Sequence, residues 1–168
     1  DSDGGLTVWT SLKVIYRIKG LLCHAFGLPP SKVRVINGYI GGSFGSFPKP
    51  EVFAALLAFK TGRPVKVTFS RAEQFYAANS RVPEVIYIKD GVRKDGTLFA
   101  REVKIILNGG GYADAVPFLT RRGSFGAVGS YRIPNFKLDS YGVYTNDPVS
   151  GPFRGFGNSQ VLWAVESQ

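Results

Sequence analysis

The sequence predicts an α+β fold with mixed β-sheets and crossover helices. Two observations carry that expectation. Stretches with the alternation of a strand and stretches with the spacing of a helix follow one another along the chain, which is how strands joined by helices are written. A strong hairpin signal, "RKDG", also sits between two long strand-like runs and calls for an antiparallel pair. The chain has 168 residues, 44% of them hydrophobic and 20% charged. That suits one globular domain with enough chain for a core.

The elements can be justified in order. "LTVWTS" at 6–11 alternates and is rich in β-formers, so it reads as a strand. From 13 to 26 the apolar residues Val14, Ile18, Leu21, Leu22 and Ala25 keep helical spacing, and Gly27 with Pro29 and Pro30 stops the helix. "KVRVIN" at 32–37 alternates again. "PEVFAALLAFKTG" reads as a buried helix with Pro50 in its first turn and Gly62 as its C-terminal stop. "PVKVTFS" at 64–70 reads as a strand, and "RAEQFYAA" as a short helix or turn. "EVIYIKDGV" and "TLFAREVKIILNGGGYAD" are the two hairpin strands, the second interrupted by a glycine triplet at 109–111 that marks a bulge or bend. "FLTRRGSFGAVGSY" shows no clear period. "NFKLDSYGVYTN" is a further strand, and "NSQVLWAVESQ" a helix at the end.

Composition excludes several function classes. No apolar run approaches the roughly 20 residues that span a bilayer. The opening "DSDGG" is acidic and polar, unlike a secretory leader, and the chain has no methionine, so it is expected to be cut from something longer. The single cysteine, Cys23, lies in an apolar stretch and reads as a small buried hydrophobe, and His24 beside it has no metal-binding company. The net charge of +9 favours an anionic partner, but it is scattered and contains no run of five like charges, so a nucleic-acid tail is not expected.

Two glycine-rich phrases stand out: "GGSFGSF" at 41–47 and "FRGFGNSQ" at 153–160. A strand followed by a glycine-rich turn and a helix start can present backbone N–H groups to an anion. The first phrase has that context, yet it lacks the Gly-Lys-Ser/Thr of a phosphate loop and the G-x-G-x-x-G spacing of a dinucleotide site. A tight structural turn stays open as the alternative. "RGFG" begins like an RNA-recognition motif, but Asn158, Ser159 and Gln160 stand where its aromatic strand should continue, which argues against RNA.

Taken together, these phrases resemble the molybdenum-binding large subunit of the xanthine dehydrogenase, aldehyde oxidase and carbon monoxide dehydrogenase family of molybdenum hydroxylases. The resemblance runs over the whole chain: "DGGLTVWTS", "GLPPSKVRVI", the "GGSFGSF" loop, "ALLAFKTGRPVKVTFSRAEQF", "KDGTLFAREVKIILNGGGYAD", "SYRIPNFKLDSYGVYTN" and "FRGFGNSQ". It implies that residues 1–168 are part of the first molybdopterin-binding domain of a larger subunit. It also implies that the two glycine phrases lie on opposite sides of a molybdenum centre. Gly42, Phe44, Gly45 and Arg154 are then its cofactor-binding candidates, and Phe156 and Arg122 its substrate-binding candidates, with Arg122 also readable as a surface residue beside Arg121. The implied cofactor is molybdopterin, with its cytosine dinucleotide form left open, and none is expected on the isolated chain. The implied partners are the remaining molybdenum domains of the same subunit and iron–sulfur and FAD subunits or domains, with neither nucleic acid nor membrane. The location implied is the cytoplasm. No catalytic residue and no metal ligand is expected within this chain, because the family's glutamate base lies further downstream.

The chain departs from the family pattern in places. Lys13 stands where a glutamine is usual, Phe47 replaces a lysine, and Pro48 stands where purine-oxidising members carry an acid. Gly155 follows Arg154 where the copper-containing branch has cysteine, which argues against that chemistry. Lys13 and the altered first loop leave a non-catalytic domain, no longer binding molybdenum, as the alternative to a working hydroxylase.

Overall fold

A computed structural model describes residues 1, 3–45 and 49–168 of the chain. They form two compact units, one made of the described residues within Asp1–Ser43 and Phe47–Ala78, the other of those within Phe44–Ser46 and Asn79–Gln168.

The first unit is a strand–helix–strand crossover. β1 (Leu6–Thr10) pairs in parallel with β2 (Val33–Asn37) from Leu6↔Val33 to Thr10↔Asn37, and α1 (Ile15–Phe26) connects them. α1 ends as expected, with Gly27 at φ 64° accepting the left-handed turn that a side chain would disfavour. α2 (Pro50–Thr61) follows and stops at Gly62 in the same manner. Leu6, Val8, Ile18, Leu22, Val33 and Ala55 form the core, so α1 and α2 both bury a face in this unit. α3 (Arg71–Ala77) is short and opens with a capping box between Ser70 and Glu73.

The expected strand at 64–70 does not form. Val65, Val67 and Phe69 alternate half-buried, but the segment pairs with no strand among the described residues. Alternation specifies an extended chain with one apolar face; a strand also needs a neighbour to bond to.

The second unit holds a mixed sheet in the order β4–β5–β6, made of β4 (Glu84–Val92), β5 (Leu98–Asn108) and β6 (Asn135–Val143), the strands of which are preceded by the two-residue β3 (Ser80–Arg81). β4 and β5 are antiparallel across the expected hairpin, where Gly96 takes φ 86° and the Arg93 N–H donates to Thr97 O at 2.9 Å. β5 and β6 are parallel and joined by α4 (Val116–Gly126), a second crossover. β7 (Ser150–Gly151) pairs in parallel with β3, and α5 (Asn158–Glu166) follows it. Val103, Ile105 and Leu107 of β5 point onto Val116 and Leu119 of α4 and Val161 and Val165 of α5.

The glycine triplet terminates β5 rather than bending it. Gly110 has φ 71°, a Cβ there would meet the Pro148 carbonyl, and the triplet's amides bond to Val143 and Asp147. Among the described residues one mixed sheet, two two-stranded parallel sheets and two crossover helices make the chain α+β, as expected. No helix among the described residues is long and apolar enough to cross a membrane.

Candidate cofactor-binding site

β7 delivers the chain into the second glycine phrase. Gly155, Phe156 and Gly157 then take φ values of 99°, 52° and 88° in succession. Two glycines accept that backbone without strain; Phe156 does not, and a non-glycine residue held there is over-determined by its surroundings. The turn closes on itself, with Phe156 N–H donating to Phe153 O at 2.8 Å and Asn158 N–H to Gly155 O at 3.1 Å. Gly157 begins α5 and lies on α4: a Cβ there would be 3.3 Å from Leu119 O and 3.5 Å from Gly123 N.

The first phrase meets the second directly. At Gly45, φ is 113°, and a Cβ would lie 2.7 Å from Pro152 O and 2.8 Å from Pro152 C. Glycine is required here for one backbone to touch another. Phe44, 62% exposed, lies under the Arg154 guanidinium, whose carbon is 5.7 Å from the ring centroid. The two phrases touch at Phe44 and Arg154, and Gly45 lies against Pro152 and the Phe153 amide. Arg154 is exposed and has no carboxylate partner among the described residues.

No local pattern announces the groups that surround this turn. Arg81 donates to Arg154 O at 2.9 Å and to Gln160 Oε1 at 3.3 Å, and its guanidinium carbon stands 4.8 Å from the Phe153 ring centroid. Gln160 in turn donates to Val82 O at 2.9 Å. Next to them is a cavity of about 340 Å³ lined by Arg81, Glu84, Ser159, Gln160 and Trp163, among others. Both carboxylate oxygens of Glu84 are buried without a hydrogen-bond partner among the described residues. Loss of water raises its pKa to about 7, against the opposing pull of the Arg81 charge. Only contacts between residues distant in sequence create this cluster; Gln160 was visible as the end of a motif, Arg81 and Glu84 were not.

Gly42 belongs to the first unit and has φ 136°. Arg121 and Arg122 are both exposed on α4, sharing with Phe118 and Phe125 the face opposite Val116, Leu119 and Gly123, so helix position does not separate them. Lys13 is exposed in the turn between β1 and α1. Phe47 and Pro48, where two departures from the family pattern fall, lie outside the described residues, as does Ser46. Gly155 at φ 99° faces the Ser159 side chain, a backbone that a cysteine would strain. Cys23 packs against the first unit's core but is only half-buried, less than its reading as a small buried hydrophobe. Among the described residues no three His, Cys, Asp or Glu side chains gather as metal ligands. What the site offers instead is a guanidinium without a carboxylate partner, aromatic faces and a positive-φ turn, a donor set that fits an anionic organic cofactor.

Comparison with known proteins agrees with that chemistry. The family described as "Molybdopterin cofactor-binding domain" matches residues 1–168. A probable xanthine dehydrogenase subunit of Bacillus subtilis is 38% identical over 99% of this chain and 23% of its own length. The nicotinate dehydrogenase large molybdopterin subunit of Eubacterium barkeri is 38% identical over 100% of this chain and 40% of its own length. The solved aldehyde oxidoreductase of Desulfovibrio gigas superposes with a TM-score of 0.89 at 28% identity, over 98% of this chain and 18% of that one. The chain therefore spans between about a fifth and two fifths of these proteins, and it belongs to the molybdopterin cofactor-binding domain family of the xanthine dehydrogenase-type molybdenum hydroxylases.

Proposed function

We propose that this family member is part of the first molybdopterin-binding domain of a larger hydroxylase subunit, and that its two glycine phrases contact the cofactor. The observation that carries the proposal is Arg154: exposed, without a carboxylate partner among the described residues, steadied by the Phe44 ring and rooted in a turn of three positive φ values. The guanidinium offers planar donors to phosphate or to the polar edge of a pterin. Stacking on Phe44 occupies its face and leaves its edge for an acceptor. Gly45 lets Phe44 approach the second phrase closely enough for that stacking. Gly42 gives the first loop its unusual backbone on the way there. Phe156 offers an aromatic face and Arg122 a charge to a substrate. The names of the two relatives refer to xanthine and nicotinate, flat nitrogen-containing rings that such a face would suit.

When bound, the molybdenum cofactor supplies the oxidation, taking two electrons as a substrate carbon gains an oxygen from water. This chain's share is to bind and orient; no general base is assigned to any of its residues. The remaining molybdenum domains of the subunit, and iron–sulfur and FAD subunits or domains to carry electrons away, are the proposed partners. The nucleotide released on denaturing the full-length protein would distinguish molybdopterin from its cytosine dinucleotide form.

The test compares Arg154→Ala with Arg121→Ala in the full-length protein. Each charge-assisted hydrogen bond lost from Arg154 is worth roughly 1.5–3 kcal/mol, a loss of about tenfold or more in cofactor retention or turnover. Arg121→Ala is expected to stay within about 0.5 kcal/mol, as an exposed residue should. Full molybdenum content and normal turnover in Arg154→Ala would overturn the assignment. A parent protein that takes up no molybdenum even when made alongside cofactor biosynthesis would leave the non-catalytic alternative.

A further inference from the structure

Resting on that reading of Arg154, we propose that Arg81 is a positioning residue that sets the geometry of the Arg154 turn through the turn's backbone. Three contacts from one guanidinium meet the phrase at both of its ends. One edge donates to the Arg154 carbonyl at 2.9 Å, another to the Gln160 side chain at 3.3 Å, and the plane covers the Phe153 ring at 4.8 Å. Gln160 is itself held by Val82 O at 2.9 Å, so the second acceptor is fixed rather than floating. Arg81 is equally fixed from behind, since β3 pairs it with Gly151 of β7.

The position of the clamp explains why it matters. The carbonyl it holds belongs to the peptide that enters Gly155, the first of the three positive-φ residues. Glycine has access to both signs of φ, so a turn with two of them has alternatives that the chain alone does not exclude. Orienting the Arg154 carbonyl chooses the direction in which the turn starts, and with it where the Arg154 and Phe156 side chains leave the backbone. Arg81 touches neither cofactor nor substrate on this view; it acts through the turn. A planar fork suits two acceptors and a ring at once, as an ammonium does not.

The experiment uses the full-length protein and three variants: Arg81→Met, Arg81→Lys and Arg154→Ala. Amide hydrogen exchange is read on peptides covering 153–160 and 98–108, with molybdenum content measured beside it. Arg81→Met is expected to speed exchange at 153–158 by about tenfold while leaving β5 unchanged, and to lower molybdenum loading. Arg81→Lys, able to reach one acceptor, is expected to recover part of both. Unchanged exchange at 153–158 in Arg81→Met overturns the proposal. So does faster exchange with full loading, provided Arg154→Ala does lower loading, because the turn would then not need its clamp. If Arg154→Ala keeps full loading, the cofactor assignment is what fails, and the exchange data alone judge the clamp. Should Arg81→Met not fold, Gln160→Leu removes one arm and is judged on the same peptides: faster exchange supports the clamp and unaltered exchange overturns it.

Discussion

The two units use the same device, a parallel strand pair bridged by a helix, and secure it differently. In the first, β1, α1 and β2 close on an apolar core around Leu22, and one part-buried polar tie is Thr10 donating to Glu51 at 2.5 Å, with the other Glu51 oxygen unpartnered among the described residues. In the second, β4, β5 and the far end of α4 are locked by a charge. The Arg101 guanidinium, buried in the sheet, grips both oxygens of Asp90 at 2.7 and 2.6 Å and donates at 3.2 Å to the carbonyls of Ala127 and Val128 after α4. One side chain thus ties β4, β5 and the far end of the crossover helix together. α4 is also the helix on which Gly157 rests. The unit that carries the Arg154 turn is the one whose crossover helix is pinned, and the turn rests on that helix at Gly157.

Removing the pin should break that contrast most. Asp90→Ala leaves the Arg101 charge buried and unpaired, at a cost of about 3–5 kcal/mol. Urea unfolding followed by hydrogen exchange should show the second unit opening early, with α1 and β2 protected as before. Replacing both partners, Arg101→Met with Asp90→Leu, should recover much of the loss, because no charge then stays buried. A loss below about 1 kcal/mol in Asp90→Ala would mean that packing, and not the buried charge, holds this unit.

What could be seen in the sequence divides along a physical line. Signals written within a few residues were legible: Gly27 and Gly62 as helix stops, Pro50 in a first turn, Asp95–Gly96 in a hairpin. Signals that depend on a distant partner were not. Residues 64–70 alternate correctly and pair with no strand among the described residues. The triplet at 109–111 ends β5 because Gly110 lies against Pro148, which no local pattern records. α4 hid because Gly123 is one of its buried residues, where a helical pattern calls for an apolar side chain. The candidate site followed the same rule. Resemblance picked out Phe44, Gly45 and Arg154, and these do meet; Arg81, Glu84 and Gln160, which surround the turn, share no motif that could have grouped them.

Glu84 gives a smaller and pH-dependent test of the second unit. Burial raises its pKa from the ordinary 4.5 to about 7. An acid with a raised folded-state pKa keeps its proton after the unfolded chain has lost it, so stability falls as pH rises from about 4.5 and levels off above about 7. The side chain is only half-buried, and screening by solvent reduces the full conversion of the shift to a loss on the order of 1–2 kcal/mol. Stability curves at several pH values should show that fall in the native protein and lack it in Glu84→Gln. An equal fall in Glu84→Gln would assign it to other groups.

The smallest expected effect lies in the first unit, at the start of α3. Ser70 Oγ accepts from the Glu73 amide at 3.3 Å, and the Glu73 carboxylate accepts from the Ser70 amide at 2.7 Å. That second bond, then the Ser70 side chain, holds the Glu73 carboxyl below its ordinary pKa, so its help to the helix is present near neutral pH and is lost as pH falls through the depressed value. Ser70→Ala removes only the hydroxyl, because an alanine amide still donates to Glu73. The expected loss is therefore about 0.5–1 kcal/mol, and Ser70→Gly should cost only a few tenths. α3 has seven residues and none of them is buried, so no packing stands in for the cap. Faster amide exchange across 71–77, with α1 and the second unit unchanged, is the result that fits. Exchange that spreads to β2 or α1 would mean that α3 is coupled to the first unit's core, a tie beyond the Thr10–Glu51 bond and the packing around Leu22.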